Sequence, residues 1–347
     1  MLIPIYLPRF ESAALPSVTL LAADVGGSKT NVGFFHIKGQ QLSLVKQQTY
    51  RSQDYPSFPK LMHTFLLTSQ LPQPARVSLG VAGPVLKGKA YLTNLGWLMD
   101  QKTLEEETGI RTLSLINDLE ATAYGLAALE DKQVLRIHEG NAHRGGNIAV
   151  MAPGTGLGEA GLYWDGKQYH PFASEGGHTH FSPNSSEDLD LYRFIRQGHE
   201  TVSWEHLIGG PGIYRIYRFL LAQGKMKAST NIKEALSRED PAAVISQAAL
   251  DQSDFLCQKT MEIYVRLLAC EAANLVLKMK ATGGLFLGGG IPPKIISLLQ
   301  SELFYQSFTK SHRMEDLLSQ VPVNIILQPD TALWGAAYYG AYGPLLK

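Results

Sequence analysis

The sequence predicts an α/β fold of two lobes, a small and a large α/β domain with a cleft between them, and three observations carry that expectation. At 347 residues the chain exceeds the size at which one hydrophobic core usually keeps growing. Short apolar runs of strand length end repeatedly in glycine-rich or polar turns, with helical stretches between them. Two of these runs share one layout, an apolar strand, a glycine turn carrying a hydroxyl residue and a second apolar strand, which hints at internal duplication.

The first such unit opens the fold. Residues 19–24 are apolar up to Asp24, Gly26 and Gly27 follow, and residues 31–37 are apolar again, which reads as a hairpin. Residues 76–81 and 113–116 then read as strands, one ending before Gly83 and the other at Asn117-Asp118. Residues 119–129 carry Ala, Leu and Tyr at helical spacing, so Asp118 falls near a helix start, where a carboxylate meets the positive end of the dipole. The second strand–turn–strand unit spans residues 147–164 around Pro153 to Gly158. Residues 187–283 are mainly helical, with amphipathic or apolar stretches at 189–195, 213–221 and 254–279. A strand at 284–287 runs into Gly288-Gly289-Gly290, and residues 332–342 form a small, apolar, helix-compatible close.

These boundaries predict an amino-terminal tail over residues 1–18, a small domain from 19–128 and 331–347, and a large domain from 129–330. The tail is not read as a leader, because Pro4, Pro8 and Pro16 interrupt its apolar stretches and no basic region precedes them. A hydrophobic content of 45% and a charged content of 18% are those of an ordinary globular protein. Lys plus Arg equals Asp plus Glu at 31 each, so no net field draws the chain to nucleic acid or to an anionic membrane, and a small-molecule partner is expected. No uninterrupted apolar stretch reaches the ~18 residues a membrane-spanning helix needs. Two cysteines, Cys257 and Cys270, suit neither a zinc clip nor a disulfide framework and agree with a reducing cytoplasm.

Three glycine turns carry phosphate chemistry. Asp24-Val25-Gly26-Gly27-Ser28-Lys29-Thr30 sets an acid at a strand end beside glycines that let backbone amides approach an anion, with hydroxyl and ammonium donors alongside. Gly154-Thr155-Gly156-Leu157-Gly158 repeats that chemistry in the other half, and Gly288-Gly289-Gly290 is placed to border an adenosine pocket. Each turn alone is also explained as a plain tight connection; the three together favour a polyphosphate. Neither a Walker loop nor a Gly-x-Gly-x-x-Gly opening a helix occurs, so P-loop and Rossmann readings fall.

A second group carries polyol chemistry. Asn117-Asp118 offers a carboxylate to accept the proton of an attacking alcohol and an amide to orient it. Glu175-Gly176-Gly177-His178 suits hydrogen bonds to vicinal hydroxyls; Glu205 and Asn94 are further candidates. Singly, Asp118 reads as a helix cap, Glu205 as a surface charge and His178 as a structural histidine or metal ligand.

Taken in order, these motifs resemble the bacterial glucokinase branch of the hexokinase, heat-shock chaperone and actin ATPase superfamily, from Leu20 almost to the carboxyl terminus. Asp24 to Thr30 looks like the family's first phosphate motif, Leu115-Ile116-Asn117-Asp118 like its catalytic strand end, and Pro153 to Gly158 like its second phosphate motif. The resemblance implies a two-lobed actin-like ATPase (ribonuclease H-like) fold and an ATP-dependent glucokinase. It implies glucose held by Asn117, Asp118, Glu175, His178 and Glu205, with Asp118 as base and Asp24 acting near Mg-ATP, so that the metal contact of Asp24 is indirect. A kinase for another hexose and a non-catalytic sugar sensor of the same fold are the alternatives. The chain is expected to be a cytoplasmic homodimer. Ser28 stands where the family usually has Thr and still donates a hydroxyl, while the Asn-Ala-Arg that many members show after this position is absent. The related repressor and sugar kinase group carries a Cys-x-Cys-Gly-x-x-Gly-Cys zinc loop that two cysteines cannot supply, so His178 is expected on sugar and not on zinc. A DNA-binding domain before Asp24 is not expected either.

Overall fold

The computed structural model describes residues 3–10, 17–141, 145–224 and 226–344. The chain divides into two compact units, Met1–Gln133 with Ala160–Ala173 and Gln328–Lys347, and Val134–Glu159 with Ser174–Leu327.

The first unit is built on a five-stranded sheet in the order β3-β2-β1-β4-β7. β1 (Val18–Val25) and β2 (Lys29–Lys38) form the expected hairpin, and β3 (Gln41–Arg51) extends it at the edge. β4 (Arg76–Val81) pairs parallel with β1; the two-stranded ribbon β5 (Lys89–Leu92) and β6 (Trp97–Asp100) follows; β7 (Leu113–Asn117) pairs parallel with β4. β1 is apolar on both faces because both are covered. Leu21, Ala23 and Val25 join the core beneath one face. Leu20 and Ala22 on the other face are equally buried, and the terminal helix Thr331–Tyr342 packs there: a Cβ placed at Gly340 would lie 3.0 Å from Leu20 Cδ1. Each such leucine removed from water contributes roughly 1.5–3 kcal/mol. That helix meets the helix Asp118–Gly125 backbone to backbone. A Cβ at Gly335 would lie 2.6 Å from Gly125 N, a distance only glycine allows.

The expected tail is corrected where it is described. Ile3, Ile5 and Leu7 are buried, Tyr6 N–H donates to the Tyr169 carbonyl at 2.8 Å, and Tyr169 N–H donates to that of Pro4 at 2.8 Å. Arg9 Nε donates to the Gly343 carbonyl at 2.6 Å. Alternation at 3, 5 and 7 is a strand signal, and prolines at 4 and 8 are what an edge position tolerates. This pairing also explains why Ala160–Ala173, expected in the large domain, belongs to the first unit. Residues 1, 2, 11–16 and 345–347 of the expected tail and small domain lie outside the described residues.

In the second unit β8 (Val134–His138) and β9 (Ile148–Pro153) come first, β10 (Leu157–Trp164) starts there, and β12 (Gly284–Leu287) and β13 (Val323–Ile326) follow; β11 (Tyr169–Ser174) lies almost wholly in the first unit. β12 lies between β9 and β13, parallel to both, with β8 antiparallel at the edge. The helices Ser186–Arg196, Gly210–Ala222 and Phe255–Met279 appear where their periodicity predicts them. The last of these is the spine of the larger core, with Leu256, Met261, Tyr264, Leu268 and Val276 buried. Asp254 caps its start by accepting from Cys257 N–H at 2.9 Å. Among the described residues no helix is long and apolar enough to cross a membrane.

Candidate active site

The first unit collects Asp24, Gly26, Gly27, Ser28, Lys29, Asn94, Asn117 and Asp118. β1, β4 and β7 are parallel and in register at Val25, Val81 and Asn117, so Asp24, the glycine turn and Asp118 leave the sheet at its carboxyl-terminal rim, where ligands bind in open α/β sheets. The turn is fixed from behind. Gly26 N–H donates to the Lys29 carbonyl at 3.0 Å, Ser52 N–H to that of Ser28 at 3.1 Å, and Ser52 Oγ to that of Gly26 at 2.7 Å. Ser28 and Lys29 are exposed, and with Thr49, Tyr50 and Arg51 they line a cavity of about 350 Å³. A Cβ at Gly27 would lie 3.2 Å from Asn94 Nδ2, so Asn94, predicted as a sugar contact, stands beside the Gly26–Lys29 turn.

Asp24 shares its face of β1 with Leu20 and Ala22, and the helix that covers them brings Asp330 to it. Burial, and then the charge of Asp330, push the Asp24 carboxyl up to about 6. Asp330 precedes the helix Thr331–Tyr342 without capping it; its Oδ1 accepts instead from Asn31 Nδ2 at 2.8 Å. Neither Asn31 nor Asp330 stood out in the sequence.

At the end of β7 the division of labour differs from expectation. Asn117, not Asp118, is the helix cap: its Oδ1 accepts from Leu119 N–H at 2.9 Å and Glu120 N–H at 3.2 Å. Its Nδ2 donates to the Gly83 carbonyl at 3.1 Å, and the residue is 5% exposed, so one amide hydrogen remains for a ligand. Asp118, half-buried, begins the helix and accepts from Leu119 N–H at 2.9 Å. Glu120, absent from the sequence reading, is held up at about 7 by burial.

The second unit collects Gly154, Thr155, Gly156, Gly158, Glu175, His178, Glu205, Gly288, Gly289 and Gly290. Here too the turns lie at the carboxyl ends of parallel strands, since Met151 of β9 is level with Leu287 of β12. Gly288 N–H donates to the Met151 carbonyl at 2.8 Å and Ile291 N–H to that of Pro153 at 3.3 Å, which sets the third glycine cluster against the turn at Gly154–Gly158. Gly210 N–H, at the start of its helix, donates to the Gly154 carbonyl at 2.9 Å; the positive end of that helix therefore backs the turn and favours an anion.

Glu175, His178 and Glu205 lie together. His178 Nε2 is 3.9 Å from Glu175 Oε2, and its Nδ1 is 3.9 Å from Glu205 Oε1. All three are partly exposed, as groups that meet a polar ligand must be. Burial raises the Glu175 carboxyl, His178 opposes that shift and Glu205 adds to it. Glu205 Oε2 also accepts from Leu157 N–H at 3.1 Å, a tie to the phosphate turn that sequence order gave no sign of. Among the described residues no group of three or more His, Cys, Asp or Glu could hold a metal ion.

Parallel-strand rims carrying glycine turns, one beside the strand-end carboxylate of Asp118 and the other beside the cluster of Glu175, His178 and Glu205, define a sugar kinase of the actin-like ATPase class. The glucokinase family model matches residues 21–342, and the chain belongs to that family. It is 36% identical over 336 residues to a glucokinase of Nostoc punctiforme, covering 93% of this chain and 98% of that one. The structure of a glucokinase from an Antarctic psychrotroph matches with a TM-score of 0.76 at 33% identity, over 92% of this chain and 98% of the other. At 19% identity and a TM-score of 0.60, a ROK family glucokinase from Streptomyces griseus, solved with glucose and AMPPNP, shares the fold over 92% and 98% of the two chains.

Proposed function

We propose that this chain is an ATP-dependent glucokinase in which Asp118 takes the proton of the glucose 6-hydroxyl as that oxygen attacks the γ-phosphorus. The observation that carries the assignment is the Asp118 carboxylate at the end of β7, held at the first helical position by the Asn117 cap. A base so fixed needs no reorganisation when the alcohol arrives, and positioned proton transfer contributes on the order of 10²–10⁴ in rate. Glu175, His178 and Glu205, with the remaining amide hydrogen of Asn117, hold the sugar hydroxyls; Asn94 stands close enough to the first turn to contact either the sugar or the transferred group. The turns at Gly26–Lys29 and Gly154–Gly158 bind the phosphates of ATP through backbone amides and the Ser28, Lys29 and Thr155 side chains. Gly288–Gly290 borders the nucleoside.

Asp24 and Asp330 are oxygen donors whose charges oppose each other, a pair that a hard cation relieves. Mg²⁺ carried by ATP would supply neutralisation of the β- and γ-phosphate charge there. Two free cysteines fit a cytoplasmic setting, and the reading extends to a homodimer supplying glucose 6-phosphate to glycolysis.

Coupled ADP formation, measured with ATP over a panel of glucose, mannose, fructose and an amino sugar, tests the proposal. Release that depends on sugar and is most efficient with glucose supports it; sugar-independent release would assign a plain ATPase instead.

A further inference from the structure

Glu159 has no part in the chemistry above, yet it lies directly beneath it. It follows Gly158 on β10, is 1% exposed, and its Oε1 has no hydrogen-bond partner among the described residues. The space a side chain would need at Gly176 is filled by Glu159, whose Cδ would lie 2.9 Å from a Cβ there, with Oε2 closer still and Ser174 Oγ at 3.2 Å. Ser174 Oγ accepts from Gly176 N–H at 3.0 Å. Gly177 rests as closely on the same strand, a Cβ there lying 3.0 Å from the Leu157 carbonyl carbon. The two glycines between Glu175 and His178 are thus needed because the backbone crosses β10 in direct contact. Swapping either for alanine would lift the whole segment.

Facing Glu159 from the helix Phe255–Met279 is Glu271, fully buried. Its Oε2 accepts from Asn274 Nδ2 at 2.8 Å, and Lys278 Nζ stands 3.5 Å from its Oε1. The charged groups acting on Glu159 are Glu271, which disfavours its ionisation, and Lys278, which favours it. Burial outweighs both, and the Glu159 carboxyl is pushed up to about 8.

We propose that Glu159 is a positioning residue for glucose, its buried carboxyl propping Gly176 so that Glu175 and His178 keep the orientation in which they take the sugar hydroxyls. This rests on the reading of Glu175 and His178 as sugar contacts. The prop is mainly neutral near about pH 7. Once Glu159 ionises, a charge appears beside Glu271 in a space that does not solvate it, and the segment above yields.

The test is the KM for glucose against kcat, followed from about pH 6.5 to about pH 9.5 in wild type, Glu159→Gln and Glu159→Ala, with Glu175→Gln alongside. Wild type is expected to show a several-fold rise in KM above about pH 8 with kcat changing much less. Glu159→Gln, uncharged and of the same shape, should keep the neutral-pH KM and lose the rise; Glu159→Ala should raise KM roughly tenfold at all pH values. A Gln variant that retains the alkaline rise, or an Ala variant with unchanged KM, overturns the proposal. If Glu175→Gln raises KM while the Glu159 variants behave as wild type, positioning alone is wrong; if Glu175→Gln itself leaves KM unchanged, the sugar assignment falls and this proposal with it.

Discussion

Glu205 accepts a hydrogen bond from the backbone N–H of Leu157 at 3.1 Å, so its carboxylate is anchored on the turn at Gly154–Gly158. The same side chain lies 3.9 Å from His178 through its other oxygen. The Glu175–His178–Glu205 cluster and the turn at Gly154–Gly158 are therefore mechanically one block, which under the proposed roles couples sugar contact to nucleotide contact.

Replacing Glu205 tests that coupling. A hydrogen bond to a charged group is worth about 1.5–3 kcal/mol, so Glu205→Ala should raise the KM for glucose about 10- to 100-fold and, because the turn loses its tie, raise the KM for ATP as well. Glu205→Gln keeps an oxygen for Leu157 and should spare ATP while still impairing glucose. Equal KM values for ATP in all three proteins would separate the two functions.

Asn117 joins structure and chemistry at one amide. Loss of its cap in Asn117→Ala should destabilise the protein by about 1 kcal/mol in denaturant unfolding, together with a fall in kcat as Asp118 loses its fixed position. Asn117→Asp retains the capping oxygen and should recover most of the stability but not the activity, since the N–H donor is gone. Recovery of both would reduce Asn117 to a cap.

The buried carboxyl of Asp24 makes a pH prediction. Its pKa rises from 3.8 unfolded to about 6 folded, so its contribution to stability is fully present below about pH 4 and is lost as the pH climbs through about 6. Asp24→Asn should therefore be more stable than wild type well above about pH 6, by on the order of 3 kcal/mol, and equal to it near about pH 3.5. In wild type the efficiency with Mg-ATP should fall below about pH 6, where Asp24 takes up a proton. A stability difference that does not narrow on acidification contradicts this account.

Much of this protein is legible locally. Asp24 with its glycine turn, Asn117-Asp118 and the turn at Gly154–Gly158 can be read from the sequence because each is an apolar strand followed at once by residues with special backbone or chemical needs. The helices at Gly210–Ala222 and Phe255–Met279 follow from their periodicity. What the sequence hides is set by packing between distant segments. Asp330 reaches Asp24 only because a helix of small residues lies along the Leu20–Ala22 face. Glu159 looks like the polar position of an alternating strand and is buried because two glycines cross over it. The alternation of Ile3, Ile5 and Leu7 is a visible strand signal, masked by prolines that an edge strand accommodates. Asn117 shows the finest limit, since either of two adjacent residues could cap the helix and only backbone geometry decides between them.

Whether Asp118 removes a proton from bound glucose is read from kcat with ATP and glucose for Asp118→Asn, measured beside the Kd for glucose from equilibrium titration. kcat should fall by at least ~10² with glucose still bound within a few-fold of the wild-type affinity; turnover close to wild type in that variant would show that Asp118 is not the base.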